Sequence, residues 1–242
     1  MSIKVISVNI EGDNHFDTVF AFIERENPDV VCMQEVYEVD LPLFCTRLSP
    51  TYRYLPLSTV SAPNPFRKAQ KGAEGVVIFS KLPIHDSGSF YYESEPIDTT
   101  ILDSRPEGSR RGLVWIDIEV GGKIYRIATT HFTWSWKGEV TTLQKADLGN
   151  LMRELEAVKP TLLCGDFNTP RGSEIFDHLA TVFTDMIPPT VTTTIDQNLH
   201  RVSGIQFVVD GFFVAPGYTA SNVRVLDGVS DHCALVGELE TV

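Results

Sequence analysis

Eight short apolar runs set the terms for any fold this chain can adopt: "IKVISV" at 3–8, "DVVCM" at 29–33, "EGVVIFS" at 74–80, "GLVWIDIEV" at 112–120, "KIYRIATT" at 123–130, "TLLCG" at 161–165, "IQFVVDGFFV" at 205–214 and "CALVGEL" at 233–239. Apolar runs of this length, bounded by polar or turn-forming residues, are the signature of buried strands. "VVCM" and "TLLC" are continuous, as expected of strands covered on both faces, whereas "VWIDIEV" alternates and so has one wetter face. Gly121-Gly122 between two of the runs predicts a hairpin turn and antiparallel pairing.

Helical periodicity separates several of these runs. Phe16, Val19, Phe20 and Ile23 fall at i, i+3, i+4, i+7 within "NHFDTVFAFIEREN", with Asn14 placed to cap the start. The pattern returns in "DLPLFCTRL", in "QKADLGNLMRELEAV" before Pro160, and in "SEIFDHLATVF" behind the cap residue Ser173. Helices and strands therefore mix, and the class is α/β. A strand–helix–strand unit occurs at 3–35 and again at 124–166. The stretches 56–73, 86–110, 132–141 and 184–204 read as long loops, the kind that carry binding function. No linker with a sustained composition shift interrupts the chain, so residues 1–242 are expected to form one domain.

The polar residues that end the apolar runs carry the functional signal. Asn9 follows "VISV", Glu35 follows "VVCMQ", His131 follows "IATT", and Asp166 and Asn168 follow "TLLCG". Asp210 interrupts "FVVDGFFV", and Asp231-His232 precede "CALVG". Each has an ordinary reading taken alone: a turn former, an Asx-turn or a core histidine. Burying such groups without partners costs roughly 2–7 kcal/mol each for neutral ones and more for charges. Convergence on one another or on a metal ion offsets that cost, and strand ends are where α/β sheets bind ligands. Ser230, Asp231 and His232 cannot make a nucleophilic triad among themselves, because neighbours along a strand point to opposite faces. No Gly-x-Ser-x-Gly elbow is present.

Charge narrows the partners. The chain carries a net charge of −12 at pH 7, so a whole-chain basic footprint for long duplex DNA is missing, and phosphate would be drawn by a local basic patch or a bound cation. No apolar run approaches the roughly 20 residues of a membrane span, and no leader-like segment opens the chain, so the expected location is cytoplasmic by default. The four cysteines fit no zinc spacing and are expected to be reduced and mostly buried.

"VISVNI", "PDVVCMQEV", "RRGLVWIDI", "IATTHF", "LLCGDFNTP", "VVDGFFV" and "SDHCALV" occur in the order found in the endonuclease/exonuclease/phosphatase superfamily, and the chain resembles that family over about residues 3–240. The resemblance implies a four-layer α/β sandwich of the DNase I-like kind, two mixed sheets face to face with helices outside. It implies phosphoester hydrolysis with Mg²⁺ or Mn²⁺, and the carboxylate and amide donors suit such a hard cation. Glu35 resembles the family's principal metal carboxylate, with Asn9 beside it. Asp166 and Asn168 resemble the pair that orients the attacking water and holds the phosphate oxygens. His232 resembles the histidine on the far side of the phosphate, Asp210 its orienting carboxylate, and Asp231 a residue near the second metal position. His131 resembles the second histidine of the DNase- and sphingomyelinase-like branches, with Glu74 its expected carboxylate partner. Arg111 resembles a phosphate-contacting arginine. Gly211 departs from the pattern, because the family often has an aromatic residue there.

The expected activity is a phosphodiesterase working on nucleic acid or a nucleotide-like ester, with activated water attacking in line. A phosphatase or phospholipid-head-group esterase is the alternative. A non-catalytic scaffold would have lost some of these residues, and none is lost. Trp134 and Trp136, just after His131, are candidates to stack on a base or sugar of the substrate. "NPFRKAQKG" at 64–72, with Arg110-Arg111, is a candidate grip for a second phosphate.

Overall fold

A computed structural model describes residues 2–48, 51–60, 71–93 and 110–242. Arg67 and Lys68 of the candidate phosphate grip lie outside the described residues. The strands are β1 (Ile3–Asn9), β2 (Val30–Tyr37), β3 (Tyr52–Val60), β4 (Gly72–Ser80), β5 (Ile84–Tyr91), β6 (Gly112–Val120), β7 (Lys123–His131), β8 (Leu162–Asp166), β9 (Thr184–Asp185), β10 (Asp210–Val214), β11 (Tyr218–Leu226) and β12 (Ala234–Thr241). The helices are α1 (Phe16–Glu26), α2 (Leu41–Arg47), α3 (Thr142–Val158) and α4 (Glu174–Ala180). One sheet runs β11-β12-β1-β2-β4-β3 and the other β5-β6-β7-β8-β10-β9.

Strand periodicity explains why the two sheets stack. Along β1, Ile3 and Val5 face the interior between the sheets, while Ile6 and Val8 face the outer layer with α1 and α2. Along β8, Leu162 and Cys164 face the same interior, and Leu163 faces α3 and α4. The result is four layers with three apolar cores, the expected DNase I-like sandwich. β1 and β2 pair in parallel through α1, and β7 and β8 pair in parallel through α3. These are the strand–helix–strand units at 3–35 and 124–166. The Gly121-Gly122 hairpin also forms, with both glycines at positive φ (61° and 76°) between Val120 and Lys123.

Several local expectations change. The cap position of α1 is His15 rather than Asn14, and no side chain caps that end. Ser173 does cap α4, accepting from Phe176 N, and Thr141 with Gln144 forms a capping box on α3. Residues 56–60 and 86–91, read as loop, belong to β3 and β5, and β11 carried no strand signal at all. All three are sheet edges, where polar residues, Pro56 and Gly88 are tolerated because one side of the ladder needs no partner. Conversely, 205–209 is not strand. Its carbonyls at Phe207, Val208 and Val209 accept from Thr194, Arg171 and Phe167 on neighbouring connections instead. No helix among the described residues is long and apolar enough to cross a membrane.

Candidate active site

The interior between the sheets ends in a polar layer, and strand parity puts it there. Asn9 continues the inward series Ile3, Val5, Ser7 of β1; His131 continues Tyr125, Ile127, Thr129 of β7; Asp166 continues Leu162, Cys164 of β8. Asp210 opens β10 on the same parity as Phe212 and Val214. The ladder aligns His131 with Asp166 and Asp166 with Asp210, so three functional groups stand in a row across adjacent strands. Glu35 has the opposite parity, and a β-bulge re-aims it. The β2–β4 register shifts between Met33 and Val36, and Glu35 takes a left-handed φ of 60°. Its Oε1 then lies 3.8 Å from His131 Nε2 on the facing sheet.

Asp166 is the hub of this layer. It is 1% exposed. Its Oδ2 accepts from Asn9 Nδ2 at 3.1 Å and lies 3.5 Å from His131 Nε2 and 3.7 Å from His232 Nε2. Its Oδ1 accepts from the Asn168 amide at 2.8 Å, and Asn168 Nδ2 donates to Phe132 O. His232 Nδ1 sits 2.9 Å from Asp210 Oδ2. The two imidazoles are tuned apart. Burial pushes the His131 pKa down, against the pull of Asp166 and Glu35. Burial opposes charge on His232 as well, but Asp210 and Asp166 overcome it and hold its pKa well above the ordinary value.

Asp231 and His232 belong to the connection before β12, not to the strand itself, and they serve different neighbours. His232 turns to Asp166 and Asp210, whereas Asp231 joins Glu11 and His15. Glu11 Oε2 is 3.0 Å from His15 Nε2 and its Oε1 accepts from Arg201 at 2.6 Å. Burial pushes the Asp231 carboxyl up to about 6; the charge of His232 opposes this, and those of Glu11 and Glu35 reinforce it. Like charges that converge without repelling the fold apart are a donor set for a hard cation. The groups Glu11–His15–Asp231 and Asp166–Asp210–His232 each bring three ligand atoms within 4.8 Å of one another; the first could hold a divalent ion, whereas His232, held protonated by Asp210 and Asp166, offers no lone pair in the second.

Arg111 precedes β6 beside the end of β7, where its charge acts on His131 and on Tyr92. It is 8% exposed, and its buried Nε has no hydrogen-bond partner among the described residues. A guanidinium kept from water without full pairing is costly unless an anion completes it.

The sequence profile of the Endonuclease/Exonuclease/phosphatase family matches residues 6–232. The chain belongs to that family. Its proteins are generally hydrolases of phosphoester bonds. Solved structures with the same fold include the endonuclease/exonuclease/phosphatase from Bacteroides vulgatus, 20% identical with a TM-score of 0.72 over 100% of both chains. A mannosyl-6-phosphatase from Bacteroides thetaiotaomicron is 17% identical with a TM-score of 0.71, over 99% of this chain and 100% of that one. The human nocturnin catalytic domain with bound sulfate is 17% identical with a TM-score of 0.69, over 100% of this chain and 94% of that one. No curated protein sequence matches.

One expectation drawn from the endonuclease/exonuclease/phosphatase pattern needs revision. Among the described residues, the carboxylates within 4 Å of His131 are Glu35 and Asp166, not Glu74. Glu74 stands on β4 opposite Tyr37 and Ser58 and accepts from Ser58 at 3.4 Å. Gly211, the departure from the family's aromatic, is accounted for by packing. A Cβ there would lie 2.4 Å from Phe213 and 2.6 Å from Phe167, so the aromatic bulk comes from those two rings.

Some groups carried no sequence signal. Thr194 Oγ1 accepts from both Val209 N and Asp210 N, while its carbonyl accepts from Cys233 N. It thereby ties the Asp210 strand to the segment carrying His232. Gln34 Nε2 donates to Thr129 Oγ1 across the sandwich, directly beneath Glu35 and His131. Glu11 and His15 could have been found by their i, i+4 spacing just past Asn9, but Arg201 lies 190 residues away.

Proposed function

We propose that the protein is a Mg²⁺- or Mn²⁺-dependent phosphodiesterase that cleaves a nucleotide-like phosphoester by in-line attack of water. The observation that carries this reading is the buried Arg111 guanidinium, incompletely partnered beside His131, at the rim of a layer otherwise made of carboxylates, amides and imidazoles. Arg111 supplies the fixed positive charge for a non-bridging phosphate oxygen. Asp166, held by Asn9 and Asn168, orients the attacking water. His232, kept cationic by Asp210, donates its Nε2–H to the phosphate or the departing oxygen. One N–H of Asn168 is committed to Phe132 O, and the other, with no partner among the described residues, can donate to a phosphate oxygen. Glu35 and Asn9, with Asp231 close by, would hold the cation, as their oxygen donors and crowded negative charge suit it. A divalent ion held there would lower the pKa of bound water and offset charge on the phosphate.

Hydrolysis of bis(p-nitrophenyl) phosphate with Mg²⁺ or Mn²⁺ tests the reading. Glu35→Gln and His232→Ala should each lower kcat by about 10²–10⁴-fold. Equal rates for wild type and Glu35→Gln would sink the assignment. Turnover of p-nitrophenyl phosphate with none of the diester would make the protein a phosphatase instead.

A further inference from the structure

The segment after His131 is anchored more firmly than a loop needs to be. Phe132 N donates to Asp166 O and Phe132 O accepts from Asn168 Nδ2. Thr133 O accepts from Gln144 Nε2, and Thr133 Oγ1 donates to Asp147 Oδ2 at 2.5 Å. Phe132 and Thr133 are fully buried. Immediately beyond this base the chain turns outward and presents Trp134 and Trp136, 36% and 66% exposed, edge to face with centroids 6.2 Å apart. Lys137 and Gly138 follow at φ 53° and 70°. A Cβ on Gly138 would strike Pro170 at 2.6 Å, so the turn lies against the segment that carries Asn168. A left-handed lysine and a glycine with no room for a side chain hold an exposed indole beside the site, where solubility alone would disfavour it.

The charges around the site point the same way. Lys71 is taken up by Asp13 and Asp40 at 3.0 and 2.9 Å, Arg201 by Glu11 at 2.6 Å, and Arg171 by Asp185 at 2.7 Å. Arg110 pairs with Glu93 at 2.5 Å and lies over the Tyr91 ring at 3.3 Å. A polynucleotide is gripped through several phosphates, each needing an available cation. Arg111 answers one.

Resting on the phosphoesterase reading, we infer that the substrate is a compact phosphoester, one phosphate joined to a neutral ring with an apolar face, and that Trp136 with Trp134 is the shelf on which that ring stacks. The shared chemistry covers a nucleobase and a pyranose. Trp134 and Trp136 are three and five residues from His131, at most about 10 and 17 Å of extended chain, bounds that include a ring one sugar or nucleoside away from the phosphate.

The experiment compares three p-nitrophenyl phosphodiesters with one leaving group, whose second ester is methyl, thymidine 5′ or glucose 6. It adds a labelled single-stranded oligonucleotide. The thymidine or the glucose ester should exceed the methyl ester in kcat/KM by about 10- to 100-fold. Trp136→Ala should collapse that ratio at least about fivefold, while Trp136→Phe restores most of it. Which ester responds identifies the ring. The preferred ester should lose little activity with salt, because a single phosphodiester carries no condensed counterion atmosphere, whereas an oligonucleotide does. Methyl ester turnover that depends on Glu35, with no gain from either ring or a ratio untouched by Trp136→Ala, would overturn the shelf alone. An oligonucleotide cut more efficiently than either ester with a steep salt slope would overturn the compact substrate. Methyl ester turnover indifferent to Glu35→Gln would instead remove the phosphoesterase reading beneath it.

Discussion

Gly211→Ala is the smallest change that tests how the site is held. The new Cβ would stand 2.4 Å from Phe213 Cε2 and 2.6 Å from Phe167 Cε2, where ordinary contact begins at 3.4 Å. Both ring edges must therefore retreat by about 1 Å to regain ordinary carbon–carbon separation. Neither has room. Phe167 and Phe213 are fully buried, meet edge to face at 5.3 Å, and Phe213 presses on Phe176 at 5.0 Å. Overpacking of this kind costs about 1–3 kcal/mol, which for a chain of this size lowers Tm by roughly 2–12 °C. Gly211 pairs with Gly165 and Asp210 with Asp166, so the displaced rings also shift the carboxylates. A misplacement near 1 Å is worth about 10²-fold in kcat. Thermal denaturation and bis(p-nitrophenyl) phosphate turnover read the two effects. Phe213→Leu in the same chain should recover part of both, with a coupling of about 0.5–3 kcal/mol. A Gly211→Ala protein with wild-type Tm and kcat would refute the packing account of this glycine.

Two further outcomes concern protons. Asp210→Asn removes the strongest support for charge on His232, so the limb of the kcat/KM–pH profile that reports loss of its proton should move to lower pH; a limb that stays in place refutes the pairing. Asp231 has its folded pKa raised from 3.8 to about 6, first by burial. The folded state thus holds that proton more tightly than the unfolded chain, and stability falls as pH rises through this window. Asp231→Asn should remove that dependence and stabilise the metal-free protein at pH 8 by about 1–3 kcal/mol. Urea melts at pH 5 and pH 8 check it, and an unchanged difference between the two would count against it.

The buried strands and both parallel units were legible because their apolar runs have no other way to be covered. β3, β5 and β11 were not, since an edge strand can be polar and still pair on one side. The same logic separates the site residues. Asn9, His131, Asp166 and Asp210 were legible as polar interruptions at the ends of core strands, and strand parity brings them together. The partner of His131 was not legible, because a one-residue bulge turns Glu35 across the sandwich. That geometry leaves no mark on composition. Glu11, His15 and Arg201 lie beyond the strands, where pattern ceases and only tertiary contact joins them.

Neither sheet owns the polar layer. Asn9 and Glu35 come from one, His131, Asp166 and Asp210 from the other, and His232 reaches over from the segment feeding β12. The Asn9–Asp166 and Glu35–His131 contacts span the gap between the sheets, which is filled below them mostly by apolar side chains. A slip of one sheet over its neighbour would scatter the chemistry while leaving each ladder of backbone hydrogen bonds whole. Turnover is therefore a gauge of docking between two preformed halves, and a spectrum that counts only strands would miss the loss.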